Sequence, residues 1–119
     1  MYRSRVYDLE QRTYRFARDC RLFIRELPKT LSNLEDGKQL IKASGSVGAN
    51  YIEANEKLGG KDLTMRLRIA RKEARESHYW LTLLKDLNSK YEKKASELMN
   101  EAFELKKILS AIIIKTSKT

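Results

Sequence analysis

Glu53, Glu73 and Glu76 sit where a simple amphipathic helix would carry apolar side chains, and with His78 and Cys20 they are the residues best suited to chemistry. Carboxylates inside a helical bundle raise the prospect of a di-metal site, which needs Glu-x-x-His pairs on two helices to complete its ligands. The sole histidine, His78, follows Glu76 by two residues and points to a different face, so no metal or other cofactor is expected. General acid–base catalysis would need a cleft and a second tuned group, and neither is evident. Buried carboxylates are costly unless paired. The three glutamates are therefore expected to accept hydrogen bonds from tyrosine hydroxyls, Asn50, the Trp80 indole or inward-reaching arginines, and to fix helix register or subunit contact. Cys20 lies among Phe16, Phe23 and Ile24 and reads as a small core residue rather than a nucleophile. Gly59-Gly60-Lys61 lacks the rest of a phosphate-cradling loop, and Gly45-Ser46-Val47-Gly48 lies within a helix rather than after a strand. The expectation is a protein that is not an enzyme. A nuclease or metalloenzyme resting on Glu73, Glu76 or His78 is the reading against it.

The basic residues point to binding. Arg18, Arg21 and Arg25 recur at i, i+3 and i+7, with Arg12 and Arg15 one turn earlier, and Arg68, Arg71, Lys72 and Arg75 line one side of another helical stretch. Runs of charge often mean only a solvated face, and Asp19, Glu26 and Asp86 neutralise part of this one. The preponderance of arginine still matters, because a planar guanidinium suits two-point contact with phosphate. The chain of 119 residues carries 25 Lys and Arg against 16 Asp and Glu, a net charge of +9. Residues 1–26, 61–87 and 88–119 each hold seven basic and four acidic side chains, whereas 27–60 holds four of each. The neutral stretch suits a central helix, with the others facing water or a polyanion such as RNA or DNA.

These side chains need elements to place them. The breakers Pro28, Ser32-Asn33, Gly59-Gly60 and Asn88-Ser89 divide the chain into four stretches of helical length, and nothing reads as a strand or repeat. The pattern predicts a first helix from Tyr7 or Asp8 to Leu27, with Asp8 as N-cap and Phe16, Cys20, Phe23 and Leu27 on one face. A second is predicted over 34–58, closed by Gly59-Gly60. The third, over 62–87, buries Leu63, Leu67, Ala70, Ala74, Ser77, Leu81 and Leu84. The fourth, over 91–115, buries Tyr91, Ala95, Leu98, Ala102, Leu105, Leu109 and Ile112, with residues 116–119 fraying. Gly37, Gly45 and Gly48 fall inside the second helix, where each costs roughly 1 kcal/mol of propensity relative to alanine, so close packing must offset them. Short connections make an all-α, single-domain, antiparallel up-down-up-down four-helix bundle over residues 1–119 the simplest arrangement. Tyr51, Tyr79, Trp80, Phe103, Ile108, Ile113 and Ile114 exceed what one small bundle can centre, which predicts a homo-oligomer. The lone cysteine, the missing apolar leader and the short apolar runs lead to a cytoplasmic protein without a membrane span.

Two stretches resemble a known family. Ser44-Gly45-Ser46-Val47-Gly48-Ala49-Asn50-Tyr51-Ile52-Glu53-Ala54 looks like the second-helix motif of the four-helix-bundle proteins encoded within 23S rRNA intervening sequences. Ala70-Arg71-Lys72-Glu73-Ala74-Arg75-Glu76-Ser77-His78-Tyr79-Trp80-Leu81 is similar to their third-helix motif. The resemblance runs from about Asp8 to Ile113. It departs at Gly48, where many members have proline, and at Ala54, where many have glycine. It implies a left-handed four-helix bundle, a homopentamer, and a bacterial family without established enzymatic activity. It also implies kinship with the accessory variability proteins of diversity-generating retroelements, basic pentameric barrels that engage a reverse transcriptase and nucleic acid. Asn50, Glu53, Glu73, Glu76 and Trp80 match motif positions, which the resemblance leaves open to packing or subunit contact. The resulting expectation is a basic oligomer that binds structured RNA or other nucleic acid through Arg12, Arg15, Arg18, Arg21, Arg25, Arg68, Arg71, Lys72 and Arg75. The alternative is a scaffold for an acidic protein or a nucleic-acid enzyme.

Overall fold

The computed structural model describes residues 2–56 and 59–117, with side chains described from Asp8 onward. It contains α1 (Tyr2–Glu26), α2 (Leu31–Ala54), α3 (Gly60–Leu87), a single 3-10 turn (Ser89–Tyr91) and α4 (Glu92–Ser117). The 28 residues of α3 span about 42 Å at 1.5 Å per residue, which nearly matches the long 47 Å dimension of the molecule. The helices therefore run along that axis. α3 packs most extensively, against α2 and α4; α2 also meets α1, and α1 makes its thinnest contact with α4.

The core follows the helical periodicity. Phe16, Cys20 and Phe23 of α1, with Leu27 just past its end, share the core with Leu40, Val47, Tyr51 and Ala54 of α2. Leu67, Ala70, Ala74, Leu81 and Leu84 of α3 meet Ala95, Leu98, Ala102, Leu105, Leu109 and Ile113 of α4. The alanines of α3 and α4 let these two helices approach closely. Tyr51 and Ile113 are only 3% and 5% exposed, so both join the core instead of the apolar surplus assigned to them. Leu63, Tyr91 and Ile112 are half-buried and pack at the margin. Thr13, Ser44 and Ser77 are buried hydroxyls that donate to carbonyls of their own helices, those of Leu9, Ile41 and Glu73. Among the described residues no buried side-chain N or O lacks a partner.

The helix boundaries differ from the sequence expectation for local reasons. Asp8 lies inside α1 rather than capping it. Ser32 and Asn33 do not break a helix. Thr30 caps α2 by accepting from the Asn33 backbone N–H at 3.2 Å, which places both residues in the first turn. Gly59 is the N-cap of α3, while α2 closes at Asn55, whose N–H donates to the Tyr51 carbonyl at 3.2 Å and the Ile52 carbonyl at 3.1 Å. The residues given as the end of the second helix, 57–58, lie outside the described residues. Thr116 and Ser117 continue α4, and 118–119 also lie outside the described residues.

Small residues set the α1–α2 approach. A Cβ built on Gly48 would lie 2.8 Å from Thr13 Oγ1 and 3.1 Å from Thr13 Cβ, whereas one on Gly45 would meet only the end of Arg21 at 3.2 Å. At the opposite end of α2, the Asn33 and Asn88 amides bond reciprocally at 2.8 and 2.9 Å, tying the start of α2 to the end of α3.

Candidate nucleic-acid interface

Among the described arginines of α1, Arg12, Arg18 and Arg21 are engaged within the fold. Arg12 forms a two-point pair with Glu101 of α4, Nε to Oε2 at 2.7 Å and Nη2 to Oε1 at 2.8 Å. That hydrogen bond lifts the guanidinium pKa further above its ordinary value, against the opposing effect of burial. Arg18 pairs with the adjacent Asp19 at 3.1 Å. Arg21 donates to the carbonyls of Ala17 at 2.9 Å and Ile41 at 3.3 Å, so it buttresses the α1–α2 contact. Arg15 and Arg25 are exposed and make no ion pair among the described residues. The concavity between α1 and α4, about 270 Å³, is lined by Arg12, Arg15 and Lys94 but also by Asp19, Glu97 and Glu101. Its charges balance.

The flank of α3 differs. Arg68, Arg71, Lys72 and Arg75 come together with Lys106 and Ser110 of α4 around a concavity of about 290 Å³ whose lining contains no carboxylate. Arg71 Nη1 donates to Ser110 Oγ at 3.4 Å, and the Lys106 ammonium stands 5.8 Å from the centre of the Phe103 ring. Arg68 and Arg75 are exposed and unpaired with any carboxylate among the described residues; only Lys72 approaches one, Glu73 at 3.9 Å. Lys106 and Ser110 were not anticipated. Their signal in the sequence was the excess of lysine over residues 88–119, which does not say which lysine shares a groove with α3.

The three motif glutamates do not gather at one point, although Glu76 stands beside Glu73 on α3. Glu53 and Glu76 are exposed, and Glu73 keeps only 17% of its side chain accessible. Asn50 makes none of the anticipated bonds to them. Its Nδ2 donates to the Ser46 carbonyl at 2.8 Å and its Oδ1 accepts from Arg66 Nη1 at 3.0 Å, joining α2 to α3. Trp80 is half-buried against the core, edge-on to Tyr79 at 5.0 Å. Among the described residues no three His, Cys, Asp or Glu side chains gather as metal ligands would.

Burial, reinforced by the Glu76 charge and opposed by Lys72, pushes the Glu73 carboxyl above the usual carboxylate range. The folded state thus holds that proton more tightly than the unfolded chain. The associated stability is present at low pH and falls as pH rises through the raised value. Glu73→Gln should raise Tm at pH 7, with the advantage narrowing toward pH 4; an equal gap at both pH values in thermal denaturation would contradict this.

Cys20 is fully buried, and desolvation pushes its thiol up to about 12 against a weaker opposing hydrogen bond from Ser44. A thiol reagent at pH 8 should modify it only as the fold opens, so the rate should climb with urea in step with unfolding. Rapid labelling of the native protein would contradict the burial. Because the neutral thiol is favoured in the fold, its contribution to stability persists below the ordinary thiol range and declines as pH rises toward about 12.

The chain matches the 23S rRNA-intervening sequence proteins over residues 5–111. It belongs to that family. A solved relative, a protein of unknown function from the S23 ribosomal protein family of Bacteroides thetaiotaomicron, shares 29% identity and a TM-score of 0.75, covering 88% of this chain and 97% of its own. No curated protein matches the chain. Within the 23S rRNA-intervening sequence family assignment, the second- and third-helix motifs thus lie on α2 and α3, and the carboxylate-free basic groove adjoins the third-helix motif. Among the described residues no helix is long and apolar enough to cross a membrane.

Proposed function

We propose that this member of the family is a non-enzymatic, homo-oligomeric, cytoplasmic bundle that binds structured RNA or other nucleic acid through its phosphates. The observation that carries the reading is the cluster of basic side chains along α3 without a carboxylate among them. Cations already paired with glutamate, as Arg12 is, must give up one partner to gain another. Arg68, Arg71 and Arg75 of α3 need not. The family's name, which refers to an intervening sequence of 23S rRNA, makes a structured rRNA segment the first ligand to try.

The arrangement proposed is up-down-up-down with neighbouring helices antiparallel. It is supported by Thr13 lying opposite Gly48 and Ile24 opposite Gly37, by Asn33 meeting Asn88 while Asn50 meets Arg66, and by Arg71 meeting Ser110 while Thr82 meets Met99. A left-handed twist and five subunits are what the family resemblance supports. Exposed Tyr79, Leu87, Phe103 and Ile114 supply apolar surface for a subunit contact. Mobility shifts of a structured rRNA fragment and an unrelated duplex, with assembly mass from light scattering, test this reading. A shift at low salt from an oligomer supports it, and preference for the rRNA fragment makes it specific. No shift from a folded oligomer would favour a scaffold for an acidic protein or a reverse transcriptase.

A further inference from the structure

The geometry points to the groove between α3 and α4 as the phosphate-binding site of the molecule, with Arg71 and Arg75 of α3 and Lys106 and Ser110 of α4 contacting phosphoryl oxygens. Five cations share this one concavity with a hydroxyl and no carboxylate, so like charges are held together with little internal compensation. Such a site gains most from a ligand that brings several negative charges at once. Arginine forks supply paired donors to phosphate oxygens, lysine a point charge. The 3.4 Å contact between Arg71 and Ser110 is long for a hydrogen bond, which leaves both groups able to turn toward a shared oxyanion.

The positive surface does not stop at the groove. Arg68 and Lys72 also line the adjoining concavity of about 720 Å³, together with Lys61 at the start of α3. From Lys61 to Arg75 the helix rises about 21 Å, a length over which one strand of a duplex passes about six phosphates. A strip of that length favours an extended nucleic-acid strand over a short free polyphosphate. The phosphate chemistry stands on the groove alone; its assignment to a nucleic-acid strand rests on the reading proposed above.

Two ligands and two variants test it. Isotope-labelled protein is titrated with inorganic tripolyphosphate and followed by NMR, and duplex RNA is titrated by fluorescence anisotropy at several salt concentrations. The triple variant Arg71→Gln, Arg75→Gln, Lys106→Gln is compared with Lys29→Gln, Lys38→Gln, Lys90→Gln, which removes the same charge elsewhere, after circular dichroism has shown both to be folded. The expected result is tripolyphosphate shifts at Arg71, Arg75, Lys106 and Ser110. Duplex RNA affinity should fall by about 100-fold at low salt in the groove variant, with the salt slope shallower by about three. RNA binding equal in the two variants, with no tripolyphosphate shifts in the groove, would overturn the site while leaving nucleic-acid binding intact. Tripolyphosphate bound in the groove without any RNA binding would support a phosphate site and overturn its assignment to a nucleic-acid strand. Binding of neither ligand would overturn both.

Discussion

Asn33→Ala should lower the unfolding free energy by about 2–4 kcal/mol, measured by urea denaturation at fixed protein concentration. Asn33 is 4% exposed and its amide is fully used. Nδ2 donates to the Pro28 carbonyl at 2.8 Å and to Asn88 Oδ1 at 2.9 Å, while Oδ1 accepts from Asn88 Nδ2 at 2.8 Å. Asn88 also donates to the Leu84 carbonyl at 2.8 Å, one of the carbonyls a helix end leaves without an intrahelical partner. Truncation would strand half of Asn88 in a partly buried site and leave the Pro28 oxygen with only the Thr30 N–H at 3.0 Å, and an unmade buried hydrogen bond costs more than a made one contributes. Asn33→Asp retains the size but loses both donors and sets a carboxylate against the Asn88 oxygen, so its loss should be at least as large. The double variant with Asn88→Ala should lose less than the sum of the single changes, by about 1 kcal/mol. A loss under about 0.5 kcal/mol for Asn33→Ala, the range of an ordinary surface change, would contradict the tie.

Gly48→Ala and Gly45→Ala should have opposite signs, although both replace glycine inside the same helix. Alanine gains roughly 1 kcal/mol of helix propensity at either site. At Gly48 the new methyl would sit 2.8 Å from Thr13 Oγ1 and 3.1 Å from its Cβ. Thr13 is 1% exposed and its hydroxyl donates to the Leu9 carbonyl at 2.9 Å and the Glu10 carbonyl at 3.0 Å, so it has no room to yield. Overpacking of this kind outweighs the propensity, for a net loss of about 1–2 kcal/mol. In a Thr13→Ala background the penalty should shrink, since the nearest atom is gone. At Gly45 the neighbour is the end of a flexible arginine, 3.2 Å away, and stability should hold or rise by up to about 1 kcal/mol. Equal effects at the two positions would show that the α1–α2 approach is not set by Gly48.

The extent to which the sequence foretold this structure varies with the kind of feature. Phe16, Cys20, Phe23 and Leu27 were legible as a core stripe because burial follows the 3.6-residue period, and the Ala and Leu positions of α3 and α4 were legible for the same reason. Helix ends were not. Ser32 and Asn33 have the composition of a break, yet Thr30 caps the helix before them and Asn33 turns its amide across to Asn88. Gly59 suits either the end of one helix or the start of the next, and it begins α3. Tyr51 was counted among an apolar surplus too large for one small bundle to centre, and the fold instead buries it in the core.

The basic surface was legible as charge and not as availability. The spacing of Arg18, Arg21 and Arg25 on α1 is as regular as that of Arg68, Arg71 and Arg75 on α3. Asp19 beside Arg18 was visible in the sequence, but only the fold shows that Glu101 engages Arg12 and the Ile41 carbonyl engages Arg21, while the α3 set shares a groove with Lys106. Partners from distant sequence positions decide which cations remain free for a ligand, and a single helix's pattern does not contain them.

The most direct test of the proposed phosphate-mediated nucleic-acid binding is the affinity of the intact protein for a structured rRNA fragment, measured from about 50 to about 200 mM salt. Log affinity should fall linearly with log salt, with a slope of about −3 or steeper. Absent binding at low salt, or binding indifferent to salt, would contradict the account.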